Sequence, residues 1–262
     1  MPYQSLYLDV KEGVAHLVLN QPHLGNPFNG AFCAELGQVA NEIASRKDVR
    51  AVLLRANGKF FSVGGDIKMF SQTLDALPAH IREWTAGLHL GVARLARIDA
   101  PIVAAVHGTA MGGAVGLLAG CDLVYCGRSV NLGAAYTTIG YTCDMGATYT
   151  LASRMGLSRT RKFLMLGEVL TGEEGAQCGL VDYAVDNDRV VAEAEQAAIR
   201  LANGPTRAYG ELRRLMTRAF AQPLDAQMED EVQSLVRAAS TEDAQEGIMA
   251  FIENRPARFK GR

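Results

Sequence analysis

The stretch PIVAAVHGTAMGGAVGLLAGCD, residues 101–122, constrains this chain more than any other. Residues 101–106 form an apolar run of strand length, and residues 113–120 a second apolar run that reads as a short buried helix. Gly112 and Gly113 therefore fall at a strand-to-helix turn. A helix that starts there points unpaired backbone N–H groups outward, and glycine lets a ligand oxygen approach them closely. Such a turn can hold a developing oxyanion. Glycine chosen only for tight backbone geometry explains the same residues.

A second stretch bears on that choice. NGKFFSVGGDIKMF, residues 57–70, again ends an extended apolar segment in a glycine pair, Gly64 and Gly65, and then opens a helix. Asp66 stands where its side chain caps free N–H groups, and acid catalysis is its other reading. Two such turns in one chain supply a pair of N–H donors, the device that stabilises an enolate or a tetrahedral oxyanion.

Around these turns the pattern alternates strands and helices. Residues 13–19 and 51–55 read as strands, and residues 29–44 between them as a helix with Phe32, Leu36, Val39 and Ile43 on one face and Asn29 as N-cap. Residues 71–79 read as a loop or frayed helix, a place for a mobile lid. A helix over 80–98 follows, with Trp84, Leu88, Val92 and Leu95 on its core face and His89 at the edge of that face. Strands are expected at 123–126, 130–133 and 180–185, and helices at 189–203, 205–220, 224–239 and 242–253. Asp144 precedes a helix that begins near Gly146, which suits an N-cap or an acid–base residue equally.

A chain of 262 residues holds one α/β core with a C-terminal helical extension, divided at about residue 200 into 1–200 and 201–262. Its formal charge of −2 gives no long-range attraction to nucleic acid or anionic membranes, and no apolar run reaches the ~18 residues of a membrane span. The N-terminus lacks a cationic region followed by an apolar one, so a cytoplasmic location is expected. The five cysteines form no CxxC pair and the five histidines no ligand spacing, so no disulfide and no metal site are expected.

The stretches FFSVGGDIKMF, PIVAAVHGTAMGGAVGLLAGCDLVYC, LTGEEGAQCGLVDYAV and AFIENRPARFKGR together resemble the crotonase, or enoyl-CoA hydratase/isomerase, superfamily over nearly the whole chain and in the family's order. The resemblance implies a spiral of ββα units with C-terminal helices, assembly as a homotrimer or homohexamer, and an acyl-CoA thioester substrate with no metal or redox cofactor. It implies that the Gly65 and Gly113 N–H groups form the oxyanion hole. It further implies that Gly64, Gly65, Asp66, Ile67, Lys68, Gly112 and Gly113 line the substrate entry, and that the basic end at Phe259 and Lys260 approaches the CoA phosphates.

The departures from the family pattern narrow the chemistry. Where hydratases of the family carry two glutamates, this chain has Gly116 and Tyr136, neither of which supplies a carboxylate base. Asp144 stands where some double-bond isomerases and a benzoyl-CoA dehalogenase of the family keep a working aspartate. The expected reaction is therefore double-bond isomerisation of an enoyl-CoA with Asp144 as base. The alternatives are hydration, a hydrolytic or dehalogenase-like reaction using His89 and Asp144, and a non-catalytic acyl-CoA-binding subunit. Tyr136 and His89 have acyl binding, or orientation of Asp144, as their expected roles.

Overall fold

The computed structural model describes residues 3–262. Its main sheet has six strands in the order β1-β2-β3-β4-β6-β9, formed by β1 (Leu6–Lys11), β2 (Val14–Leu19), β3 (Ala51–Ala56), β4 (Ile102–Val106), β6 (Leu123–Gly127) and β9 (Tyr183–Val185). The first pair is antiparallel, and every later pairing is parallel. A smaller sheet joins β5 (Ala110–Met111), β7 (Asn131–Gly133) and β8 (Val169–Thr171). This is the mixed α/β architecture expected, opening with the ββα unit of β1, β2 and α1 (Gly30–Ser45).

Period-two alternation sorts the central strands between two apolar layers. Val52 and Leu54, like Ala104 and Val106, face the larger core under α1 and α3 (Leu77–Leu95). Leu53, Val103 and Ala105 face α8 (Val190–Ala202) on the other side. Val190, Ala194, Ala198 and Ala202 recur every four residues, so a stripe of small residues lets α8 lie close to the sheet.

Helices α1 and α3 cross at glycines. A Cβ on Gly87 would lie 2.7 Å from the Cys33 carbonyl oxygen, and one on Gly91 would lie 2.8 Å from the Leu36 backbone. This contact fixes the height of His89, which sits between those two glycines. Helix α3 begins at Leu77, earlier than the expected residue 80, because Pro78 suits a first turn where its missing N–H costs nothing. Helix α2 (Ile67–Gln72) shortens the irregular segment further, to 73–76. Strands β1, β5 and β8 escape sequence reading: two are only two or three residues long, and β1 is an edge strand with one half-solvated face.

The C-terminal helices α9 (Thr206–Arg218), α10 (Leu224–Ala239) and α11 (Glu242–Ile252) are tied to the sheet by Arg213. Its buried guanidinium pairs with Asp122 at 2.8 Å and donates to the carbonyls of Leu95 (3.1 Å) and Ile98. Asp122 in turn accepts the N–H of Ile102 at the start of β4 (2.7 Å). One carboxylate at the end of the central stretch thus holds both the strand that carries the glycine turn and the helical extension.

Candidate active site

The central stretch folds as read: β4, then the turn at Gly112, then α4 (Gly113–Ala119), every residue of which is buried. The segment 61–65 runs alongside 109–112. Phe61 and Ser62 donate N–H bonds to the Thr109 carbonyl, and Met111 returns one to Ser62 (3.0 Å). At the end of this short ladder the two glycine turns touch. A Cβ on Gly64 would fall 2.5 Å from the Met111 carbonyl oxygen and 3.6 Å from the Gly112 Cα, and Gly64 has φ +80°. Only glycine permits this close approach of one turn to the other.

The N–H groups next to the contact are those of Gly65 and Gly113. Among the described residues neither donates to a protein acceptor, whereas Gly112 N–H bonds the Gly133 carbonyl (2.9 Å) and Gly64 N–H the Ser62 hydroxyl (3.1 Å). Each free donor is backed by a phenylalanine. A Cβ on Gly113 would meet Phe28 at 2.9 Å, and one on Gly65 would meet Phe70 at 3.1 Å.

Asp66 is the N-cap of α2, its carboxylate accepting the Met69 N–H (3.0 Å), so the capping role is the one seen. Ile67 and Lys68 extend from the same helix into solvent. Asp144 does not cap. That place belongs to Gly146, at φ +73°, ahead of α5 (Ala147–Met155), and the Asp144 carboxylate instead accepts from the Tyr136 hydroxyl.

The segment that carries Asp144 packs on the first turn of α4. The Met145 methyl lies 3.3 Å from where a Gly113 Cβ would be, and Ala147 lies 3.0 Å from where a Gly116 Cβ would be. The Tyr136 hydroxyl makes a long hydrogen bond to the Asp144 carboxylate (3.4 Å) and sits 3.4 Å from the same Gly116 position. Gly116 and Tyr136 therefore face each other, and the phenol stands where a Gly116 side chain would project. His89 accepts the Met145 N–H on Nε2 (3.1 Å), which ties α3 to the Asp144 loop.

Burial raises the Asp144 pKa above its ordinary 3.8, against smaller opposing effects of its backbone hydrogen bond, the Tyr136 hydroxyl and His89. Tyr136 is pushed up in the same way, by burial first and then by the Asp144 charge. The Cys33 thiol, on α1, is pushed up to about 12 by burial and by Asp144.

Sequence reading missed a row of rings beside Gly65. Phe70 stacks on Trp84 and on Tyr141, with centroids 6.1 Å apart in both pairs, and Trp84 stacks on His80 at 5.1 Å. Phe70, Trp84 and Tyr141 are half-buried, so the row is a partly open wall, and Trp84 belongs to it as well as to the core edge. The rings come from residues far apart in sequence, which left no local signal. The other departure is the basic end. Phe259 accepts from Arg50 at the entry to β3, the opposite end of that strand from the glycine turns and about 17 Å away along it. Within one chain, Phe259 and Lys260 therefore do not approach the site. Among the described residues no group of three or more His, Cys, Asp or Glu is placed to hold a metal, and no helix is long and apolar enough to cross a membrane.

Known proteins resemble the chain along almost its whole length. The enoyl-CoA hydratase/isomerase family model matches residues 9–262. The chain is 29% identical to a probable enoyl-CoA hydratase of Rhodobacter capsulatus over 262 residues, covering 100% of both proteins. It is also 29% identical to the 1,2-epoxyphenylacetyl-CoA isomerase of Escherichia coli, over 97% of both. The crystal structure of an enoyl-CoA hydratase/isomerase family protein from Mycobacterium abscessus superposes with a TM-score of 0.92 at 30% identity, covering 98% of this chain and 100% of that one. With the ββα core, the touching glycine turns and a match along almost its whole length, the chain belongs to the enoyl-CoA hydratase/isomerase family.

Proposed function

We propose that the protein isomerises the double bond of an enoyl-CoA thioester, with Asp144 as the proton shuttle. The thioester carbonyl oxygen accepts the N–H groups of Gly65 and Gly113. Asp144 removes a proton from C2 of a 3-enoyl group, the electron pair moves into the carbonyl to give a dienolate, and the proton returns at C4 as the double bond forms between C2 and C3. Each good donor to the enolate oxygen contributes about 3–4 kcal/mol, and the base a further 10²–10⁴ in rate. No metal or redox group enters this scheme.

The observation that carries the reading is the solitary Asp144 carboxylate, half-buried against Tyr136 where a hydratase of the family is expected to present a glutamate pair. A raised pKa suits a group that must take and return a proton near neutral pH. The row Phe70–Trp84–Tyr141 then serves as the wall for the acyl tail beside Gly65. A dehalogenase-like reaction would ask His89 to activate water, but its Nε2 lone pair is already engaged by the Met145 N–H. The paired turns with free donors argue against a purely non-catalytic binder. The exposed side chains of Phe220, in the turn after α9, and of Leu224, Phe251 and Ile252 on α10 and α11, 70–91% accessible, support burial in a homotrimer or homohexamer. A cytoplasmic location completes the proposal.

Turnover of a 3-enoyl-CoA panel in D₂O and in H₂¹⁸O tests the reaction. Isomerisation places deuterium on the acyl chain and leaves the product free of ¹⁸O. Incorporation of ¹⁸O refutes it in favour of hydration or hydrolysis.

A further inference from the structure

Four rings stand in a row beside the Gly65 turn. His80 and Trp84, one turn apart on α3, stack with centroids 5.1 Å apart, Trp84 stacks on Phe70 of α2 at 6.1 Å, and Phe70 stacks on Tyr141 at 6.1 Å. Successive planes differ by only 19°, 19° and 22°, so the rings run nearly parallel. A ring sandwiched between two faces needs two carbon contacts of about 3.5 Å, roughly 7 Å in all, and none of these spacings admits one. A bound group therefore lies along the row and not between its members. Two of the rings are seated on glycines. A Cβ on Gly65 would lie 3.1 Å from the Phe70 ring, and a Cβ on Gly30 would lie 2.9 Å from the Trp84 indole nitrogen, so a side chain at either position would push the row out of line. All four rings are half-buried, which leaves the row an accessible side.

The row runs from an oxyanion donor to the loop of the base. Phe70 touches Gly65, and Tyr141 lies three residues before Asp144 on the same irregular segment. The inference rests on the placement of the thioester proposed above. With the carbonyl oxygen at Gly65 and Gly113, and with C2 and C4 within reach of Asp144, the acyl chain heads from Phe70 toward the Tyr141 loop. Whatever follows C4 then lies against the rings. An alkyl tail asks only for apolar area, which leucines supply with more freedom to conform. Rings held nearly parallel keep their full contact only with a flat partner, and their π-systems add an offset-stacked or edge-on attraction that an alkyl chain lacks.

We propose that the acyl group this protein takes bears an aromatic ring, which stacks along Tyr141, Phe70 and Trp84. The row selects the substrate by the flatness and π-character of that ring, and it does so without touching the reacting carbons.

Calorimetric titration of the full chain with 3-phenylpropanoyl-CoA and 3-cyclohexylpropanoyl-CoA tests the proposal. Both probes are saturated, so neither has a double bond to move, and the ratio of their affinities cancels the shared CoA and isolates the ring. Cyclohexyl is at least as apolar as phenyl, so burial alone gives phenyl no advantage. Stacking makes the phenyl probe tighter by about three- to tenfold. Tyr141→Leu and Phe70→Leu should each bring the ratio to within about twofold of unity, by loss of phenyl affinity with cyclohexyl affinity nearly kept. Tyr141 lies outside any helix, so its variant keeps the test decisive even where Phe70→Leu fails to fold. Asp144→Asn should keep the wild-type ratio, which separates the subsite from the reaction. Selectivity without isomerisation leaves the aryl site standing, and isomerisation without selectivity overturns the aryl site alone. Equal affinities, tighter cyclohexyl binding, or a phenyl preference that survives both leucine variants overturns the proposal. Failure of both probes to bind overturns it together with the placement of the thioester.

Discussion

Replacing Asp144 by Asn should make the protein both much slower and more stable at neutral pH. The substitution keeps the size of the side chain and leaves an amide oxygen to accept from the Tyr136 hydroxyl, now 3.4 Å from the carboxylate. What is lost is the base, so kcat on the true substrate should fall by roughly 10²–10⁴. The stability gain follows from burial. The folded protein holds the Asp144 pKa above the 3.8 of an exposed carboxyl, chiefly by desolvation, so it disfavours the charged form that the unfolded chain carries freely at pH 7. Between the unfolded and the folded pKa the native state binds more protons than the unfolded one, and stability declines as pH rises through that window. Above it the whole penalty is present. Asn never pays it, which is worth about 1.4 kcal/mol for each tenfold change in the ionisation equilibrium, or roughly 2–4 °C in Tm per kcal/mol for a chain of this size. Kinetics paired with thermal melts at pH 7 and pH 4 measure both effects. The Tm of the variant should exceed that of the parent at pH 7, and the two should converge at pH 4. Full turnover, or a Tm advantage that persists unchanged in acid, would refute the reasoning.

Two further substitutions probe the neighbours. Tyr136→Phe removes a hydrogen bond that lowers the Asp144 pKa, so the acidic limb of the kcat/KM profile, where the base becomes ionised, should move to higher pH; an unmoved limb would show that the phenol does not tune the base. Gly64→Ala puts a methyl 2.5 Å from the Met111 carbonyl oxygen on a backbone with φ +80°, which costs about 1–2 kcal/mol for the conformation alone and forces the two turns apart. Activity should fall by roughly 10²-fold, the scale of losing one oxyanion donor, while the folded structure persists by circular dichroism; wild-type turnover would mean that the contact between the turns does not align the donors.

Much of this molecule was readable from local sequence because the signals are local. The strand 102–106, the helix that starts at Gly113, the Asn29 and Asp66 caps and the four C-terminal helices rest on short-range periodicity and capping chemistry, and the structure has all of them. The glycine pairs at 64–65 and 112–113 marked two turns, but not that those turns touch. That contact depends on the ladder between 61–62 and 109–111, which joins segments nearly fifty residues apart.

The same division holds for the site. Sequence determined which groups exist: two glycine pairs, an aspartate at 144, a glycine at 116 and a tyrosine at 136. Tertiary structure decided what surrounds them. It left Asp144 uncapped and desolvated, set the Tyr136 hydroxyl between Gly116 and that carboxylate, spent one nitrogen of His89 on the Met145 N–H, and lined up Phe70, Trp84 and Tyr141 from three elements. It also carried the basic tail away from the glycine turns to the far end of β3, where a buried Asp243 clamps it. Burial and charge at a residue depend on every element packed around it, and in this chain those elements meet only when the sheet has assembled.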